Sequence, residues 1–138
     1  MTPRWDEITE GQEVPARTIG PITRTDLVRY QGASGDMNPV HHDELFARAA
    51  GYPAPLAVGM FQAGVLSMLA VDAFGPDNVR RYRVRWQAPC FPGDVLTFTG
   101  RVTRKYEDGG ERRIELELAC TRQDGAVAVQ GFATFVVP

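Results

Sequence analysis

Asp36 and His41 are the two residues of this 138-residue chain whose types and spacing best suit acid–base chemistry. At neutral pH an aspartate side chain is ionised and an imidazole exchanges a proton. Together they could activate a water molecule and carry its proton. Pro39 lies between them, lacks a backbone N–H and restricts the residue before it, so the segment predicts a turn. A compact turn would let both side chains approach one point.

The same turn allows a plainer interpretation, which the two residues taken alone do not exclude. In it, Asp36 caps a neighbouring backbone group and His41 is exposed to solvent. Asn38 has a side chain that commonly bonds to its own backbone in turns, so we expect a structural role for it. A choice between these interpretations depends on the elements that position the turn.

Three helices are predicted around this segment. Thr-Arg-Thr-Asp at the start of 23–33 is a plausible capping sequence, and 43–50 is followed by a glycine that suits a helix end. The longest helix is predicted over 59–74 and ends at Gly-Pro-Asp. It is apolar nearly all round, which predicts a helix enclosed by other structure.

The sequence after the long helix alternates between apolar and polar residues with a period of two, which predicts strands. Asp108-Gly109-Gly110 and Gln123-Asp124-Gly125 are suitable hairpin turns. Four successive strands imply an antiparallel meander with one buried face. We therefore predict an α+β fold, one domain over residues 1–138, in which the sheet wraps around the long helix.

Composition excludes several classes of function. The net charge of −2 argues against nucleic-acid binding. The apolar stretch 56–74 is interrupted by polar residues and predicts a buried helix instead of a membrane span. No signal peptide is visible, and two cysteines in apolar surroundings indicate a reduced, cytoplasmic protein without a metal site.

Four arginines follow the long helix closely and leave two interpretations open. They alternate with apolar residues and fit the solvent face of a strand first. Contact with an anionic ligand, such as a phosphate-bearing carrier, is the second interpretation. The residues are Arg80, Arg81, Arg83 and Arg85.

Residues 30–41, YQGASGDMNPVH, resemble the signature of the MaoC-like, or (R)-specific enoyl-CoA hydratase, family of hot-dog-fold proteins. Gly59-Met60 and the segment 91–94, FPGD, are similar to two further family landmarks in the same order. The resemblance implies hydration of trans-2-enoyl thioesters, or dehydration of (R)-3-hydroxyacyl thioesters, on CoA or an acyl carrier protein. The resemblance implies that the reaction needs no cofactor. It also implies that the chain forms a homodimer, or a heterodimer with a related subunit. A thioesterase and a non-catalytic subunit are the alternatives.

The resemblance also implies a role for each residue of the motif. Asp36 and His41 would hold one water molecule between them, and the spacing chooses His41 over His42, which is left at the surface or as a gate. The backbone N–H of Gly59, at the start of the buried helix, would stabilise the enolate oxygen. The family usually has a histidine before Gly-Met, whereas this chain has Val58.

Further roles are implied along the long helix. Ser67 would either orient the catalytic aspartate or bond to a carbonyl one turn back, and we weigh the two equally. The acyl pocket is expected beside the helix, lined by Met60, Phe61 and Leu66.

Overall fold

The computed structural model describes residues 2–138, which form an antiparallel sheet of five strands and three α-helices. The elements follow the chain in this order: β1 (Glu13–Ile19), α1 (Arg24–Ser34), α2 (Glu44–Ala49), α3 (Gly59–Phe74), β2 (Val79–Trp86), β3 (Leu96–Asp108), β4 (Glu111–Arg122) and β5 (Val127–Val136). Within the sheet the strand order is β1-β3-β4-β5-β2. The α+β class is therefore confirmed.

All three predicted helices are present. The Thr23 side chain accepts a hydrogen bond from the Asp26 backbone N–H, and the Asp26 carboxylate accepts one from the Thr23 N–H, which forms the expected capping box of α1. Asp43 caps α2 by accepting from the Phe46 N–H. The bounds of α3 agree with the prediction. Local capping chemistry thus sets where the helices around the turn begin.

Both hairpins were predicted from their turns and are confirmed, but the sheet differs from a simple meander in two ways. β2 pairs with β5 and not with β3, so it occupies one edge of the sheet. β1, which was not predicted, pairs with β3 at the other edge. The sequence of β1 does not alternate regularly between apolar and polar residues, which is why the strand was missed. Val14 is its one buried residue, and a proline follows it.

One face of α3 packs on the sheet and forms the centre of the core. Leu66, Leu69 and Phe74 are almost fully buried there. The prediction of a helix enclosed by other structure is confirmed for this face, whereas on the opposite face of the single chain Met60 is 54% and Met68 52% exposed. At 16 residues α3 is the longest helix, and no helix within residues 2–138 has the length and apolarity needed to cross a membrane.

A half-buried phenol joins α3 to the edge strand β2. The Tyr82 hydroxyl donates a 2.6 Å hydrogen bond to the Ala63 carbonyl. Burial raises the pKa of Tyr82 to about 12, so the phenol keeps the proton that it donates. This contact fixes the distance between the helix and the strand that enclose the candidate site.

Candidate active site

The predicted turn lies between α1 and α2 and is held by its own side chains. α1 ends at Gly35, whose φ of +76° suits a glycine at a helix C-terminus. Asn38 caps a short 3₁₀ turn, Pro39–His41, by accepting from the Val40 N–H at 3.1 Å. Asn38 thus makes the structural contact that was expected of it.

The structure brings Asp36 and His41 together across this turn. One carboxylate oxygen, Oδ1, accepts a hydrogen bond from the Asn38 N–H at 3.1 Å. The other, Oδ2, lies 3.7 Å from the His41 Nε2. The His41 side chain is 10% exposed and that of Asp36 43%, so the pair lies at the boundary between protein and solvent. The capping role and the approach to histidine are therefore both present, on different oxygens.

The environment of His41 determines which of its nitrogens is free. Nδ1 lies 2.7 Å from the Leu56 carbonyl oxygen, which can only accept a hydrogen bond. We therefore assign the proton of the neutral ring to Nδ1, and Nε2 keeps its lone pair. Nε2 faces Asp36 at a distance too long for a direct hydrogen bond, at which a water molecule can bridge the two groups.

A cavity of about 320 Å³ lies beside His41. Gly59 and Gln62 from the first turn of α3 line it, as do Trp86 at the end of β2 and the residues that follow that strand. The cavity therefore connects the acid–base pair with the start of the long helix. A ligand in it would touch both.

The first turn of α3 is held by side chains that donate to its carbonyl groups. The Trp86 indole Nε1 donates to the Gly59 oxygen at 2.8 Å. With its amide oriented to satisfy its hydrogen bonds, Gln62 donates to the Val58 oxygen at 2.7 Å. Within residues 2–138 no side chain caps the N–H groups at this helix start. The Phe61 N–H bonds to the Val58 carbonyl at 2.9 Å, and those of Gly59 and Met60 are left for a ligand.

Gly59 is required here by close packing. A Cβ atom at this position would lie 2.6 Å from the Trp86 Nε1, closer than Cβ atoms in proteins approach other heavy atoms. The sequence accounted for this residue only through its backbone N–H. The indole contact was missed because Trp86 follows 27 positions later in the chain.

The predicted pocket residues do not line the cavity beside His41. Leu66 is completely buried in the core, so its prediction as a pocket residue was wrong: the phase of the helix turns it towards the sheet. Phe61 packs edge-on against Tyr30, with ring centroids 5.5 Å apart. Met60 is exposed. For these last two, contact with an acyl chain stays a prediction.

Ser67 makes the second of the two contacts that were considered for it. Its hydroxyl donates to the Gly64 carbonyl at 2.7 Å, one turn back along α3. Within residues 2–138 the structure has no hydrogen bond between Ser67 and Asp36, so the orienting role is not supported.

Ser67→Ala should therefore have a small effect. We expect kcat to stay within about threefold of the parent and stability to fall by at most ~1 kcal/mol, because an intrahelical hydroxyl bond contributes little. Steady-state kinetics and thermal unfolding of the variant check this. A loss of activity equal to that of Asp36→Asn would contradict the assignment.

Sequence reasoning did not find Gln31. It lies on α1, is 3% exposed, and contacts the turn and His42 through its amide. One signal was available: Gln31 follows the buried Leu27 by four positions and so shares its inward helix face. A polar residue on such a face needs hydrogen-bond partners.

Comparison with known protein families gives a clear result. The family model described as MaoC like domain matches residues 7–121. This chain belongs to that family. The MaoC-like residues matched include the complete turn, α3 and the strands that flank the cavity.

Individual relatives agree with the family. An (R)-specific enoyl-CoA hydratase from Rhodospirillum rubrum is 30% identical over 136 residues, which are 97% of this MaoC-like chain and 91% of the relative. 3-hydroxyacyl-thioester dehydratase Y from Mycobacterium tuberculosis is 34% identical over 127 residues, 82% of this chain and 42% of that protein.

Solved structures share the fold. R-hydratase PhaJ1 from Pseudomonas aeruginosa, in the unliganded form, superposes with a TM-score of 0.83 at 26% identity, covering 98% of this chain and 85% of PhaJ1. The (R)-hydratase from A. caviae gives a TM-score of 0.82 at 26% identity, covering 95% of this chain and 98% of that one. The predicted hot-dog fold is confirmed.

Proposed function

We propose that this MaoC-like protein hydrates trans-2-enoyl thioesters to (R)-3-hydroxyacyl thioesters and catalyses the reverse dehydration. The observation that carries the proposal is the 3.7 Å approach of Asp36 Oδ2 to His41 Nε2, beside a cavity that begins at the N-terminus of α3. The hydratases and dehydratases among its relatives support the same reaction.

The acid–base pair would activate the water. A water molecule between the two side chains donates one hydrogen bond to the His41 Nε2 and the other to the Asp36 carboxylate. As its oxygen attacks the β-carbon, Nε2 takes its proton, and the Asp36 charge stabilises the imidazolium that forms. The electron pair of the double bond moves towards the thioester carbonyl, which becomes an enolate.

The start of α3 would stabilise that enolate. Gly59 is its first residue and lines the cavity, where the unpaired backbone N–H groups and the positive end of the helix dipole favour negative charge. Donors of this kind often stabilise the transition state by ~3–4 kcal/mol. The enolate then takes the proton from the His41 Nε2 at the α-carbon. Because OH and H both come from the water side, they add to the same face.

The thioester supplies the remaining chemistry, since it makes the α-proton acidic without a cofactor. CoA and acyl-carrier thioesters present the same reacting atoms. We further propose that the chain forms a homodimer, or a heterodimer with a related subunit. An edge strand favours such pairing, and β2 is one.

The exposed apolar side chains near this edge support the dimer. Trp86 on β2 is 49% exposed, and Met60, which follows the Gly59 that Trp86 contacts, is 54% exposed. A partner seated against β2 would cover large apolar surfaces that a single chain leaves in water.

Crotonyl-CoA tests the proposed reaction directly. We expect loss of the enone absorbance with formation of (R)-3-hydroxybutyryl-CoA and no release of free CoA thiol. Butyryl-CoA, which has no double bond, serves as the control and should be unchanged. Release of thiol without reaction at the double bond would instead identify a thioesterase, and activity that depends on an added subunit would identify the chain as one half of a heterodimer.

A further inference from the structure

Gln31 holds the backbone on both sides of Met37, where the catalytic turn is formed. Its amide nitrogen donates to the Asp36 carbonyl at 2.8 Å and to the Asn38 carbonyl at 3.3 Å. The side chain comes from α1 and is almost completely buried. One amide thereby ties the helix to the carbonyl group of the proposed catalytic aspartate and to that of the residue two positions later.

The same amide also contacts the residue after the catalytic histidine. Both carbonyl groups can only accept hydrogen bonds, so the Gln31 nitrogen must face them and its oxygen must face His42. The His42 Nδ1 lies 3.2 Å from that oxygen and is therefore the protonated nitrogen of its ring. His42 thus supports the Gln31 amide from the outer side, and Gln31 contacts both ends of the segment that contains the pair.

The Asp36 side chain has little else to fix its position. Its carboxylate is 43% exposed, and the bond from the Asn38 N–H holds Oδ1 within the turn itself. The direction of Oδ2 towards His41 therefore depends on the peptide groups that Gln31 holds. We propose that Gln31 is a positioning residue, which sets Asp36 against His41 for the hydration chemistry and thus rests on the proposed function.

Gln31→Met tests this, because methionine keeps the length of the side chain and its burial and removes every hydrogen bond. Misplacing a reacting group by about 1 Å can lower the rate of the chemical step on the order of 100-fold. We expect kcat for crotonyl-CoA to fall roughly 10- to 100-fold, with KM within about twofold, because Gln31 does not line the cavity.

A matched control comes from the N-terminal segment. The Gln12 amide accepts a bond from the Thr9 N–H and lies outside the catalytic turn. Gln12→Met makes the same substitution at a half-buried amide with one hydrogen bond and should leave both kinetic constants unchanged. An equal loss of kcat in both variants would overturn the proposal.

A double-mutant cycle separates positioning from general loss of structure. In a His41→Ala background the pair no longer exists, so Gln31→Met should lower the residual rate less than twofold. A loss as large as in the parent would show that Gln31 acts on something other than the pair, and would refute the proposal.

The ring signals of the two histidines give a readout that does not need turnover. In ¹H–¹³C spectra, assigned with a His42→Phe variant, the His41 signals should move in Gln31→Met in the same direction as in Asp36→Asn. Unmoved His41 signals would overturn the positioning role. This result is independent of whether crotonyl-CoA is the substrate, so failure of the proposed reaction and failure of the positioning role can be told apart.

His42→Phe covers the case in which Gln31→Met does not fold. It changes an exposed residue and removes the donor to the Gln31 oxygen. We expect kcat to fall about threefold, which corresponds to the net contribution of one hydrogen bond. In the His41→Ala background, His42→Phe should have no effect on the residual rate. Equal losses in the two backgrounds would overturn the proposal.

Discussion

Asp36→Asn should lower kcat for crotonyl-CoA hydration by roughly 10³-fold, within the range that acid–base groups contribute. The substitution keeps the shape of the side chain, and the amide oxygen can still accept from the Asn38 N–H. The amide NH₂ then takes the place of Oδ2 and points a donor at the His41 Nε2. An NH₂ group cannot accept the hydrogen bond that the bridging water donates to Oδ2, and it carries no charge to stabilise the imidazolium.

Asp43→Asn is the matched control for this experiment. It makes the same chemical change a few residues later, where the side chain caps α2 by accepting from the Phe46 N–H. Asparagine caps helices as well as aspartate does, so activity and melting temperature should stay close to those of the parent. A near-normal rate for Asp36→Asn, measured with the parent's thermal unfolding, would contradict the assigned role.

The parts of the site that could be predicted from the sequence depend on local chemistry. The capping residues Thr23 and Asp43 mark the starts of α1 and α2 within a few residues of the turn. Pro39 prevents α1 from continuing into α2 as one uninterrupted α-helix. These signals act over three or four positions, so a single sequence contains all of them, and the approach of Asp36 to His41 follows from them.

The parts that could not be predicted depend on contacts between distant elements. Trp86 reaches Gly59 across 27 positions, and that contact exists because β2 pairs with β5 at the sheet edge. Alternating hydrophobicity shows that a strand is present but not which neighbour it pairs with. The shape of the cavity follows from that pairing, because Trp86 and the residues after β2 line it.

Val58 illustrates how the first turn of α3 is built in this chain. Its side chain is buried and makes no capping bond, where the family resemblance leads one to expect a histidine. Its carbonyl accepts from Gln62, and the next carbonyl accepts from Trp86. Two side chains thus fix this turn from the carbonyl side, and the N–H groups keep their direction without a polar residue at position 58.

His41→Ala should lower kcat by about the same factor as Asp36→Asn, roughly 10³-fold, because it removes the group that takes and returns the proton. The loss of the Nδ1 bond leaves the Leu56 carbonyl without its donor. That costs ~1 kcal/mol, since the adjoining cavity admits water, and the fold should survive. Crotonyl-CoA kinetics with thermal unfolding of the same preparation measure both effects.

Added imidazole distinguishes a lost proton carrier from a damaged site. In His41→Ala an imidazole molecule can refill the space, donate to the Leu56 oxygen and present its second nitrogen to Asp36. Activity should therefore rise with imidazole concentration in this variant and stay unchanged in Asp36→Asn. His42→Ala is the neighbouring control and should lose no more than about threefold, the worth of one hydrogen bond. If His42→Ala instead lowered kcat by roughly 10³-fold, the proton carrier would be His42 and the assignment to His41 would be refuted.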